Sequence, residues 1–459
     1  MQINEEILYM SSRENRRNFM KLTAAAGAGF WATAGVQAQE TKSPNEKINF
    51  ASIGVGGKGS SDSNDAARAG NMVAICDIDR DRLESAGARY SDAKQYTDYR
   101  EMLNEMGDKI DAVTVSTPDH SHAPATAMAM KMGKHCFTQK PLTHSIWEAR
   151  RLGEIAKENK VVTQMGNQGT AERGVRRAAE IIQGGGIGTV NEVHVWTNRP
   201  VWPQGVAKPE PQPVPETLDW EMFIGPAPYR EYADAYHPFK WRGWWDFGTG
   251  ALGDMACHTF NMAFMALNLR DPSSVEAESS GHNSQTYPKW SVIKFEFPEL
   301  AGRAPVTMYW YDGGKLPPPE LTKDLPLNDG KLSTSGSLLI GDGGKIYSPN
   351  DYGAKFSLLP EDKFKDYKGP EESIPRSPGH FKEFVDGING GPEPMSNFPN
   401  YAGPLTETIL LGNLSVWTTG ESGKGKVIEW DAKNLKATNA PEVADIIKPK
   451  YREGWADLV

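Results

Sequence analysis

The stretch "KINFASIGVGGKGSSD", residues 47–62, decides the fold. Its first half is a short apolar strand that runs directly into glycines. Gly54, Gly56 and Gly59 stand at G-x-G-x-x-G spacing. That spacing suits a tight turn, a backbone that a pyrophosphate can approach, and a helix packed hard on a sheet. The helix that follows turns its free N–H groups and positive dipole end toward the phosphates. Glycine-rich turns are common, so the next strand carries the weight. In "NMVAICDIDRDRL" (71–83) it ends at Asp77, 23 positions after Gly54. A carboxylate there accepts hydrogen bonds from an adenosine ribose and repels a 2′-phosphate. The pattern predicts NAD rather than NADP, held by Gly54, Val55, Gly56, Gly57, Lys58, Gly59 and Asp77. A structural turn with a capping aspartate is the plainer alternative.

Working outward, "DAVTVSTPDHSHAPATAMAMKMGKHCFTQKPLT" (111–143) supplies strands around Ala112–Val115 and His135–Thr138 with a small-residue helix between them. "SIWEARRLGEIAKENK" (145–160) reads as another helix, and 161–165 as a further strand. Strands alternating with helices predict a parallel, Rossmann-type sheet over residues 47–166. "TPDHSH" and "TQKPLT" both follow strands, which places them at the carboxyl edge where ligands bind. Here the sequence resembles the Gfo/Idh/MocA oxidoreductases. The resemblance implies that Lys140 of "TQKPLT" reaches the nicotinamide and the reacting hydroxyl. Gln139 stands where that family has glutamate, a neutral amide that still hydrogen-bonds a ribose. The resemblance also brings Ser116, Thr117, Pro118 and His122 near the cofactor, and Asn167 near the nicotinamide ribose.

The remainder, 167–459, is expected to bind substrate and mediate oligomer contacts. Strands such as "SVIKFEF" (291–297), "VTMYWY" (306–311) and "SLLIGDGGKIYS" (337–348) resemble the family's large, mostly antiparallel sheet. The family habit implies a homo-oligomer, a dimer or tetramer. "NFPNYAGPLTETILLGNLSVWTTG" (397–420) reads as a helix returning to the core.

"GTGALGDMACHTFNMAF" (248–264) puts Asp254 and His258 four residues apart, on one face of a helix. The spacing also suits zinc, but no third or fourth ligand is evident, and no metal is expected. A structural Asp–His pair is the other plain reading. The resemblance favours acid–base chemistry: an imidazole whose ordinary pKa lies near neutral accepts and returns a hydroxyl proton, with Asp254 either holding its tautomer or stabilising the imidazolium. Between Trp196 and Trp245 lie six of the thirteen tryptophans, and six prolines fall between Pro200 and Pro215. Prolines stiffen an exposed arm. Faces of Trp202 and Trp241 suit the C–H faces of sugars, and Arg199, Lys240, Arg242 and Asp246 suit hydroxyls or a carboxylate. The plainer alternative is an arm that buries its aromatics against itself or a neighbouring subunit.

With 459 residues, 38% hydrophobic and 24% charged, the chain has room for two cored domains. Its net charge of -9 falls to -10 once residues 1–38 are removed, a poor match to nucleic acid or anionic membrane. Beyond the N-terminal segment no apolar run of spanning length occurs, so no membrane anchoring is expected. Cys76, Cys136 and Cys257 are too few and too scattered for a disulfide framework and read as buried thiols, with a single bridge in an oxidising compartment as the alternative. "RRNFMK" (16–21), an alanine-rich stretch and "VQA" ending at Ala38 resemble a twin-arginine export signal, the plainer alternative being an amphipathic N-terminal helix with incidental arginines. That implies the export machinery as a partner, a periplasmic or otherwise exported location, and a polar linker over 39–46.

These readings converge on hydride transfer between a sugar, polyol or glycoside carbon and a tightly held nicotinamide. Lys140, Asp254 and His258 would be catalytic, with Arg199, Trp202, Trp241 and Arg242 also on the substrate. Two alternatives stay open. One is a redox-neutral glycoside hydrolase or epimerase that oxidises, eliminates, adds and reduces in turn. The other is a catalytically silent sugar-binding relative.

Overall fold

The computed structural model describes residues 47–327 and 329–459, which form one compact unit. The expected export signal and linker lie outside the described residues. Six strands build the first sheet: β1 (Asn49–Ile53), β2 (Asn71–Cys76), β3 (Lys94–Tyr96), β4 (Ala112–Val115), β5 (His135–Thr138) and β6 (Thr163–Met165). All pairings are parallel, in the order β3-β2-β1-β4-β5-β6, so the sequence order reverses between β1 and β4. A ligand crevice opens at such a switch point, outside the carboxyl ends of the strands. Both faces of a parallel sheet must be covered, which explains the unbroken burial of β4.

Part of that cover comes from late in the chain. On the helix His380–Ile388, Phe384 is fully buried with Phe50, Ala112 and Phe137, and Phe381 packs on the same cluster. The helix Gly403–Thr418 is apolar on nearly every side and buried accordingly. It packs on the helix Ile146–Asn159 and on strands of the second sheet. Arg150 donates twice to Glu407 across that joint, at 2.7 and 2.6 Å. The segment 397–420 therefore returns to the core, as expected. The Ile146–Asn159 helix starts on a capping box in which Ser145 and Glu148 satisfy each other's backbone N–H.

The second sheet has nine strands: β7 (Val190–Trp196), β8 (Ser274–Ser279), β9 (Ser291–Phe297), β10 (Val306–Tyr311), β11 (Gly336–Gly341), β12 (Gly344–Ser348), β13 (Ser357–Leu359), β14 (Ile428–Asp431) and β15 (Lys436–Ala437). Their order is β13-β12-β11-β7-β10-β9-β8-β14-β15, antiparallel except where β7 meets β10. In β9 burial alternates strictly, with Ile293, Phe295 and Phe297 facing the helices. The three cysteines are free and buried, and no helix among the described residues is long and apolar enough to cross a membrane.

Candidate active site

The glycine turn is built by close approach. Gly54 takes φ +80, and a Cβ on it would stand 2.7 Å from the Ser116 carbonyl oxygen. A Cβ on Gly59 would fall 1.9 Å from the Gly54 carbonyl oxygen, so the following helix can seat only with glycine there. Asp77 receives the turn from the other side. Its Oδ2 accepts from the Val55 N–H at 2.9 Å and the Gly56 N–H at 3.3 Å, and its Oδ1 accepts from the Asp79 N–H at 3.0 Å. Burial pushes its pKa up while those N–H groups pull it down. Four carboxylate lone pairs minus three bonds leave one acceptor position for a ribose hydroxyl. Arg82, ion-paired with Asp79 at 3.4 Å, lies over Gly56 and brings a cation to the cradle.

A cavity of about 620 Å³ runs from this turn to the second lobe, within the usual range of a ligand site. Its floor holds Lys140, whose Nζ donates to Asp254 Oδ1 and to the Asp254 carbonyl oxygen, both at 2.8 Å. Arg242 Nε donates to the same Oδ1 at 3.2 Å. Burial alone would raise Asp254, but the two cations outweigh it and hold the carboxyl down at about 2. Arg242 reaches this place because Gly248 lets the backbone pass: a Cβ there would meet the Arg242 backbone at 2.6 Å. One turn beyond Asp254 on the helix Gly250–Thr259, His258 is buried, and its Nδ1 has no partner. Burial first, and the Lys140 ammonium second, push its pKa down to about 3, so the ring is neutral. Tyr352 meets it edge-on with ring centroids 4.8 Å apart.

The second lobe also touches the Rossmann lobe beside the far end. Asp79 and Leu218 form an antiparallel bridge, the Arg80 N–H donates to Thr217 O and the Asp219 N–H donates to Ile78 O, both at 2.9 Å. His237, Pro238 and Phe239 line the cavity together with Asp77 and Arg82.

Comparison with known proteins shows the family to which this fold belongs. Residues 48–167 match the family model described as "Oxidoreductase family, NAD-binding Rossmann fold", and 179–301 match its companion, "Oxidoreductase family, C-terminal alpha/beta domain"; together they span more than half of the chain. The chain belongs to the Gfo/Idh/MocA oxidoreductase family. Residues 48–167 are an NAD-binding Rossmann domain. Inositol 2-dehydrogenase of Salmonella typhimurium is 30% identical over 125 residues, 27% of this chain and 37% of that protein. D-xylose 1-dehydrogenase [NADP(+)] of Haloarcula marismortui is 27% identical over 167 residues, 36% of this chain and 46% of that one. The chain thus matches less than half the length of these curated relatives. In fold it is similar to the WlbA dehydrogenase from Bordetella pertussis in complex with NADH and UDP-GlcNAcA (TM-score 0.57, 16% identity, covering 84% of this chain and 99% of that one). It is also similar to an inositol dehydrogenase homolog from Azotobacter vinelandii complexed with NADH and myo-inositol (TM-score 0.54, 18% identity, 84% and 98%).

In this Gfo/Idh/MocA chain, most residues singled out from sequence do meet at the cavity: Gly54, Gly56, Gly57, Lys58 and Asp77 at one end, Ser116, Thr117, Pro118 and Gln139 between, and Lys140, Arg199, Trp202, Trp241, Arg242, Asp254 and His258 at the other. Several serve from behind. Val55 and Gly59 hold the turn. His122 is bracketed by the carbonyls of Thr117 and Pro141, both at 2.8 Å, and props the loop rather than facing the cavity. Asn167 Oδ1 accepts from Ser396 Oγ at 2.5 Å.

Two expectations need correction. Asp254 does not hold the His258 tautomer; its carboxylate is taken by the ammonium and guanidinium, and no hydrogen bond joins the Asp–His pair. Asp246 turns away to pair with Arg230, and Lys240 does not line the cavity. The tryptophans divide: Trp202 and Trp241 face the cavity, while Trp196, Trp220, Trp244 and Trp245 pack inside the protein. Sequence reasoning missed Arg82, Phe239 and Tyr352. The first was visible in "DIDRDRL" as a cation beside Asp77; the other two lie on loops that carry no pattern.

Proposed function

We propose that this protein is an NAD-dependent oxidoreductase moving a hydride between a tightly held nicotinamide and a hydroxyl-bearing carbon of a sugar, polyol or glycoside. One observation carries the reading: Lys140 and His258, from different lobes, border the same cavity that begins at the glycine turn and Asp77. The residues fit a dinucleotide. The turn tolerates no side chains at Gly54 or Gly59, Asp77 keeps one acceptor position, and Thr117 Oγ1 and His258 Nδ1, on residues that line the cavity, are buried polar atoms without partners. Such atoms are costly unless a ligand satisfies them. A nicotinamide bound there supplies the hydride acceptor.

The chain's own groups do the rest. His258, neutral, takes the proton of the reacting hydroxyl, and Lys140 Nζ steadies the developing alkoxide. Asp254 and Arg242 fix where that ammonium stands. Trp202, Trp241 and Tyr352 give apolar faces on which a sugar ring can lie. The names of the relatives, dehydrogenases of inositol and D-xylose, support a polyhydroxylated substrate.

The Asp79–Leu218 bridge favours a second reading of the net reaction. A cofactor enclosed by the second lobe is more readily restored in place than exchanged, and the "RRNFMK" segment supports export of a folded protein to where no free dinucleotide is expected. Such confinement suits a cycle that returns the hydride, either by reducing a second sugar or by net glycoside hydrolysis or epimerisation. Mass spectrometry of nucleotide released by denaturing the purified protein, followed by a glycoside and polyol screen, tests both points. Stoichiometric nicotinamide dinucleotide is expected. Protein that carries none, yet turns over with freely exchanging NAD, would overturn the enclosed-cofactor reading.

A further inference from the structure

Asp62 lies on the helix that leaves the glycine turn, Lys58–Ala69, and is only 1% exposed. A carboxylate so buried survives as an anion only when it is paired and hydrogen-bonded. Asp62 is used three times: Lys58 Nζ donates to Oδ1 at 2.5 Å, Ser116 Oγ to Oδ2 at 2.7 Å and Gln139 Nε2 to Oδ2 at 2.8 Å. Lys58, Ser116 and Gln139 all border the cavity; Asp62 stands behind them. Gln139 is itself buried, immediately before Lys140, and with its Nε2 given to Asp62 its Oε1 is the acceptor left over. A glutamate at 139 would set two carboxylates where one amide now donates to one anion, and like charges at that range cannot both ionise.

We infer that Asp62 is a positioning residue of the cofactor site, carrying the negative charge at this edge and turning the Gln139 carbonyl oxygen toward a ribose hydroxyl. The inference rests on the cofactor reading above. Gln139 is then no loss of function: an amide is the side chain of this size that a neighbouring buried aspartate accepts. The titratable and charged groups facing Asp62 are Lys58 and Asp65 on its own helix and His380 from the helix His380–Ile388, with Lys140 adjoining Gln139. His380 is held neutral by burial, its pKa at about 4, so it does not titrate over the range used below.

The test compares wild type, Q139E, D62N and D62N/Q139E, reading NADH affinity by energy transfer from protein fluorescence, together with melting temperatures. Q139E creates a carboxylate pair that shares one proton at low pH, and the shared proton stands in for the amide. Its affinity is expected to be at least ~10-fold weaker than wild type at about pH 8 and to recover toward about pH 5.5. D62N/Q139E exchanges charge and amide, and is expected to return to within ~3-fold of wild type with the pH dependence gone. D62N alone loses the anion and binds more weakly at every pH. Should Q139E melt below the assay temperature, rescue of its melting temperature by D62N makes the same comparison. Q139E binding like wild type throughout, or a double variant no better than Q139E, overturns the role of Asp62. A wild type that binds no nicotinamide fails earlier and differently, since it removes the cofactor reading itself.

Discussion

Lys140 and Asp254 stand 114 positions apart in the chain, one beyond β5 and the other on the helix Gly250–Thr259, and their side chains meet at 2.8 Å. The ammonium is only 16% and the carboxylate 11% exposed, so the pair is little screened by solvent. It clamps the two lobes together at the point where the chemistry is proposed. Lys140→Met is expected to lower turnover at least ~100-fold, the scale of a positioned charged group, with NAD affinity changed little. Asp254→Asn releases both cations, and a loss in kcat of about 10- to 100-fold is expected, the larger part of it in kcat rather than KM. Steady-state kinetics on the folded variants check both; near-normal rates in Lys140→Met would remove its role.

His258 lacks a hydrogen-bond partner at Nδ1 and is neutral above about pH 3. His258→Ala is expected to cost at least ~100-fold in turnover while NADH still binds. A variant that kept its rate would transfer the proton-accepting role elsewhere.

Buried neutral imidazoles also set a pH window for stability. In His380, Nε2 donates to Met165 O at 2.8 Å while Nδ1 accepts from Gln164 at 3.0 Å, a pattern only the neutral ring satisfies. Its pKa is depressed to about 4 and that of His258 to about 3. Between the ordinary histidine value of about 6.5 and these folded values the unfolded chain binds more protons, so stability rises with pH there. The contribution is complete above about pH 6.5 and is lost as the pH falls, by on the order of 2 kcal/mol per ring at about pH 5. Melting temperatures measured from about pH 7.5 to 5 are expected to fall, with a shallower slope in His258→Ala.

The glycine turn separates space from strain. Gly59→Ala drives a methyl into the Gly54 carbonyl and is expected to abolish NAD binding, with a loss of several kcal/mol. At Gly57 a Cβ meets nothing within 4 Å, and only its φ of +51 is costly, so Gly57→Ala is expected to lose about 1–2 kcal/mol and to fold. Chemical denaturation of the two variants checks the ranking.

How much of this was legible follows from the range of each signal. Strand periodicity and the glycine turn are local, so β1, β2, β4 and β5 and the cofactor end of the site could be read directly. β3 is three residues long with two of them exposed, too short to show a period, and it went unseen. The sequence showed Asp254 and His258 on one helix face but could not show that Lys140, from the other half, would claim the carboxylate. Nor could local pattern reveal that Phe384 would cover the Rossmann sheet from more than 200 positions downstream. Phe384→Ala is expected to destabilise the fold by about 3–5 kcal/mol, as deletion of a fully buried ring does, although it touches no ligand. An unchanged denaturation midpoint would contradict that packing.

Protein loaded with one equivalent of NAD and mixed rapidly with a panel of polyols, aldoses and glycosides, while the near-ultraviolet absorbance of reduced nicotinamide is followed, puts the central claim to its most direct trial. An absorbance rise in the first turnover is predicted with at least one polyhydroxylated compound, and its absence in Lys140→Met and His258→Ala. Tight sugar binding with no absorbance change across the panel, or the same rise in both variants, would contradict hydride transfer at this pair of residues.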